Sequence, residues 1–76
     1  NTTVPSEIAI YPNPAYDLLF VDSNEPTETI ISDMNGKLIL KSTAHKIDLQ
    51  EISSGVYELI AIHSKGLIRT RLVIQR

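Results

Sequence analysis

The hydrophobic positions of this chain fall in short bursts, and none of them keeps the i, i+3, i+4 spacing of a helix over a helical length. Apolar or β-branched runs recur at Ile8, Leu18, Thr27, Leu38, Ile47, Val56 and Leu67, each closed by a polar, proline or glycine stretch. The pattern predicts strands over residues 7–10, 16–22, 27–33, 37–41, 47–49, 55–63 and 67–75. In the second of these, Leu18 to Val21 is apolar without alternation, which predicts cover on both faces for part of its length. In the longest, Tyr57, Leu59 and Ala61 form one face and Glu58, Ile60 and Ile62 the other. Glu58 marks its own face as the outer one, which sets it in conflict with the two isoleucines.

The connections are as informative as the strands. Tyr11-Pro12-Asn13-Pro14-Ala15 is the most constrained stretch: each proline locks its own φ, removes an amide donor and drives the preceding residue out of the helical region. No helix passes through it, and it predicts a rigid corner or extended crossing between the first two strands. Asp33-Met34-Asn35-Gly36 lies between two apolar runs, and its Asn-Gly pair predicts a hairpin through a type I′ turn. Asp33 is expected to bond the turn amides rather than to do chemistry. Residues 50–54 have room for one helical turn, and Ser64-Lys65-Gly66 turns the chain into the last strand. About seven short strands, with turn signals roughly every eight to twelve residues, predict an all-β fold: an immunoglobulin-like antiparallel β-sandwich.

Composition narrows the chemistry. Seventy-six residues make one domain, which buries only about 60 % of its unfolded surface and has no room for a deep catalytic cleft. With no cysteine, disulfides, thiolate metal sites and cysteine nucleophiles are excluded. His45 and His63 have no spaced partner that would make a zinc site, and the aspartates do not fall into a calcium loop. No nucleophile elbow or phosphate-cradling glycine loop occurs. The expectation is no enzyme, no cofactor, no metal and no membrane insertion. The chain starts at Asn1 without an initiator methionine, so it reads as a piece of a longer polypeptide, with residues 1–6 as a linker end and 7–76 as the domain.

The net charge of −2 hides an asymmetry. Residues 1–36 carry six acids and no base, and residues 37–76 carry seven bases and three acids. Cross-strand pairing of the two halves is one reading; a basic strip of Lys65, Arg69, Arg71 and Arg76 offered to a partner is the other. Nucleic acid is not that partner, because no aromatic is interleaved with the bases and the domain is acidic overall.

Five motifs in order, Tyr11-Pro12-Asn13-Pro14-Ala15, Asp33-Met34-Asn35-Gly36-Lys37-Leu38, Ile47-Asp48-Leu49, Ser54-Gly55-Val56-Tyr57 and Arg71-Leu72-Val73-Ile74, resemble the C-terminal sorting domain of proteins exported by the type IX secretion system. The resemblance spans Ile8 to Arg76, and its specificity lies in the order and spacing of all five. It implies transport rather than catalysis. A domain of this kind directs a cargo, attached N-terminally, from the periplasm through the outer-membrane components of the system to the surface or medium of a Gram-negative bacterium. It further implies that a sortase-like surface protease cuts in the linker before the domain, and that the chain ends at or near Arg76.

Under that resemblance, Gly55, Tyr57, Lys65, Gly66, Arg69, Arg71, Leu72, Val73 and Ile74 are the candidate recognition residues, with Tyr11, Pro12, Asn13, Pro14, Asp33, Asn35 and Gly36 as turn motifs. The competing role for Gly55 and Tyr57 is a turn and a core position. An exposed last edge also leaves weak homodimerisation open. Two other classes stand beside this reading: a carbohydrate-binding or fibronectin-like accessory module, which needs a strip of exposed aromatics from Tyr11, Tyr16 and Tyr57 although Tyr57 is on the inner face, and a structural spacer, which needs more chain after it.

Overall fold

The computed structural model describes residues 8–75. The expected linker end at residues 1–6, the expected strand start at Glu7, and Arg76 lie outside the described residues. Seven strands follow one another: β1 (Ala9–Tyr11), β2 (Leu18–Asp22), β3 (Glu28–Asp33), β4 (Leu38–Ser42), β5 (Lys46–Asp48), β6 (Gly55–His63) and β7 (Gly66–Ile74). They build two antiparallel sheets, ordered β1-β2-β5 and β4-β3-β6-β7. Setting the first, second and fifth strands against the third, sixth and seventh is the immunoglobulin arrangement; the fourth joins β3 rather than β5. The described residues are all-β, as the periodicity predicts.

Alternation along the strands makes the core. Leu19, Val21 and Ile47 face inward from the small sheet, and Ile31, Tyr57, Leu59, Ala61, Leu72 and Ile74 from the large one. The outer face of β6 resolves the conflict over its isoleucines. Ile60 lies between Ile30 and Arg69, and Ile62 between Glu28 and Leu67, so cross-strand neighbours half-bury both.

Several local expectations change. β2 is fully covered on one face only: Leu19 and Val21 are buried while Leu18, on the other, is exposed. Phe20 is half-buried under Tyr11, with ring centroids 5.6 Å apart. The Asp33–Gly36 hairpin forms, yet its turn is not type I′, because no residue other than glycine has a positive φ. Gly36 N–H donates to the Asp33 carbonyl at 3.0 Å and Gly36 alone is left-handed at φ 89°, the geometry of a type I turn followed by a glycine bulge. Residues 50–54 form a turn and no helix; it is closed by Ile52 N–H on the Leu49 carbonyl at 3.0 Å. That turn puts both Leu49 and Ile52 into the core.

Tyr57 is itself a structural element. Near the start of β6 its hydroxyl donates to the Ser53 carbonyl at 2.6 Å, which reproduces the tyrosine corner of immunoglobulin-like sandwiches. Its ring lies within ordinary contact of where a side chain at Gly55 would begin, 3.7 Å away.

Candidate functional site

The site is the outer edge of β7 and what borders it. β1 pairs with β2 in the small sheet, but after the proline corner the chain has crossed to the large one. Ala15 is fully buried and makes a parallel bridge with Ile74. Its N–H donates to the Val73 carbonyl, and its carbonyl accepts from Gln75 N–H, both at 2.8 Å. The Tyr11-Pro12 and Asn13-Pro14 peptide bonds are cis. Neither proline has an N–H to offer the edge, and the Asn13 side chain supplies what the backbone lacks. Its Nδ2 donates to the Arg71 carbonyl at 2.8 Å, and its Oδ1 accepts from Val73 N–H at 3.1 Å. The carboxamide stands in for a peptide group, and the corner serves as a short added strand over residues 71–75.

The expected open edge is therefore only half open. The backbone groups of Val73 point away from β6, and N–H and C=O alternate sides along a strand with period two. The β6–β7 register runs unbroken from Gly55↔Ile74 to His63↔Gly66, so the amides of Leu67, Arg69 and Arg71 also point outward. Among the described residues nothing pairs with the backbone of Leu67 or Arg69. The side chains divide by face. Leu67, Arg69, Arg71 and Val73 stand on the outer face, while Leu72 and Ile74 are buried. Arg69 Nε lies 3.4 Å from Glu58 Oε2. Arg71 is opposite Glu58 in register, is exposed, and forms no ion pair among the described residues.

At the tip of the β6–β7 hairpin, Glu25 of the β2–β3 connection gathers three groups. Ser64 Oγ donates to Glu25 Oε1, Lys65 Nζ is 3.5 Å from Oε2, and the His63 ring is 3.8 Å away. The Ser64 hydrogen bond first, then the Lys65 charge, holds the Glu25 carboxyl below the ordinary glutamate value. His63 Nδ1 accepts from Lys65 N–H at 3.0 Å, which places its ring proton on Nε2. Gly66 enters the strand at φ 146°, a backbone that side-chain-bearing residues rarely adopt. Among the described residues, two of the three Lys or Arg ion pairs, Glu28–Lys41 at 3.6 Å and Glu25–Lys65, join the acidic half of the chain to the basic half.

Beside Arg69 and Arg71 an open groove of about 500 Å³ is walled by the Asp33–Gly36 turn and by Tyr57 and Glu58. Two sets of residues that the sequence singles out separately, Asp33, Asn35 and Gly36 on one side and Arg69 and Arg71 on the other, meet there. Asp33 Oδ1 accepts from the N–H groups of Asn35 and Lys37, both at 2.9 Å, so it is spent on the turn. His45 Nδ1 is 2.9 Å from the Val21 carbonyl, and Val21 N–H donates to the His45 carbonyl at 2.8 Å, which extends the β2–β5 pairing by one residue. Sequence reading missed the strand-like use of Asn13 and the Glu25 cluster. The only signal for the first was an asparagine between two prolines, neither of which has a backbone donor of its own.

Among the described residues no group of three His, Cys, Asp or Glu side chains could hold a metal, and no helix is long and apolar enough to cross a membrane. A half-covered strand edge flanked by arginines is the kind of surface that a partner strand can extend. The chain matches the secretion system C-terminal sorting domain over residues 9–75 and belongs to that family. Its role is that of a type IX sorting signal, which marks an attached cargo for export to the cell surface or medium. A search of curated proteins finds no match.

Proposed function

We propose that residues 7–76 direct their cargo through the outer membrane by presenting the β7 edge and the adjoining groove to the secretion machinery in the periplasm. Lys65, Gly66, Arg69, Arg71 and Val73 make the contact surface. Gly55, Tyr57, Leu72 and Ile74 act through the fold, since the last three are buried. A sortase-like surface protease then removes the domain in the segment before β1. The observation that carries this reading is the family match over almost the whole domain. The half-open edge beside unpaired Arg71 supplies a surface suited to it. A carbohydrate-binding role finds less support, because Tyr11 and Phe20 spend a ring face on each other.

Deleting β7 is a poor test, because it strips Leu72 and Ile74 from the core. The informative fusion places residues 1–76 after a periplasmically targeted fluorescent protein in a type IX competent bacterium, beside the same fusion carrying Arg69→Glu and Arg71→Glu. Export of the first, with the second folded but held in the periplasm, is the expected result. Mass spectrometry of the exported cargo should find its C-terminus before β1. Retention of both fusions with the domain protease-resistant overturns the proposal.

A further inference from the structure

The sheet edges differ in how they are protected. β1 and β5 are three residues long, and the β3–β4 register is broken at Ile31/Ser32; short length and irregularity both blunt an edge. β7 has nine residues in unbroken register, and Asn13 to Ala15 cover only its C-terminal half. The outward backbone groups of Leu67 and Arg69, with the N–H of Arg71, remain as a ladder ready for a partner strand.

We infer that this half-edge accepts a short extended acidic segment of a partner protein by strand addition, and that Asn13 sets where the added strand must stop. The inference rests on the export reading only for the partner's identity. Binding itself follows from the edge. The Asn13 carboxamide already holds the Arg71 carbonyl and the Val73 amide, so an incoming strand has register to pair through Arg71 and no further. Its side chains on the outer face lie opposite Arg69 and Arg71, where carboxylates are favoured. Its inward side chains lie beside Ile68, which is half-buried against the core, where an apolar residue is favoured. A strand alternating acidic and apolar residues meets both demands. A second copy of this chain does not, because the antiparallel registers that pair Arg69 with itself or with Arg71 set guanidinium against guanidinium.

The test titrates the 76-residue chain with two short synthetic peptides, one alternating glutamate and valine, the other lysine and valine, and follows the amide NMR signals of Leu67, Arg69 and Arg71. The glutamate peptide is expected to shift these signals and to bind at least tenfold more tightly than the lysine peptide, with affinity falling as salt rises. Leu67→Pro removes one outward donor without touching the β6 ladder. It should weaken glutamate-peptide binding at least tenfold while leaving the thermal midpoint within a few degrees. Arg69→Glu with Arg71→Glu should reverse the peptide preference. Equal binding of the two peptides, shifts elsewhere on the molecule, or dimerisation through β7 in sedimentation would each overturn the inference. Peptide binding in a chain that fails the export assay would leave this edge a binding site and sink the sorting role alone.

Discussion

Thr29 shows how a single position can work against the fold that contains it. It lies on the inner face of β3 with no exposed surface, and its Oγ1 has no hydrogen-bond partner among the described residues. A buried hydroxyl without a partner costs about 1–3 kcal/mol, whereas the methyl group of valine would satisfy the same space. Thr29→Val is expected to stabilise the domain by about 1 kcal/mol, read as a higher urea midpoint at unchanged slope. A lower midpoint would mean that the hydroxyl is satisfied in solution. In sequence, Thr29 looks like any β-branched strand residue, and only its place opposite Ala61 reveals its burial. Asp33 is the opposite case. Its role in the turn was legible because an aspartate before Asn-Gly has few other partners in reach, although the turn type was not, since that depends on whether Asn35 must leave the helical region.

At the scale of elements, the corner from Tyr11 to Ala15 is where local reasoning stopped short. Two prolines announce a bend, and nothing within ten residues says what the bend docks on. The partners of Asn13 are 58 and 60 residues away. Its two hydrogen bonds contribute about 1–2 kcal/mol between them at ordinary net values. Asn13→Ala should lower stability by about that amount and speed amide exchange at Val73 more than at Leu72, whose amide faces β6. Unchanged exchange at Val73 would show that the carboxamide does not guard the edge. β6 was the opposite case: its strand from Gly55 to His63 could be bounded from sequence because a glycine opens it and a polar turn closes it.

At the scale of the whole molecule, the Glu25 cluster ties the β2–β3 connection to the tip of the β6–β7 hairpin. Its carboxyl is held below the ordinary glutamate value by Ser64 and Lys65, so the folded state binds a proton there less readily than the unfolded chain. The contribution to stability is full above the ordinary glutamate range and is lost as pH falls through the lowered folded value. Glu25→Gln should therefore be less stable than the parent at neutral pH and equal to it in strong acid, as thermal midpoints across that range would show. The effect is small because the side chain is partly exposed and screened. A difference that persists at the acid end would assign it to packing instead.

The sequence by itself determined the strand count, the inward face of β6, the glycine-closed hairpin after Asp33, and membership of a family of sorting signals, because period-two alternation and turn chemistry are properties of neighbours along the chain. Only the tertiary structure decided that Asn13 completes β7 and that half of the last edge stays open. Those outcomes depend on backbone groups meeting across tens of residues. Every strand carries the same N–H and C=O groups, so nothing local distinguishes the edge that is covered from the edge that is left bare.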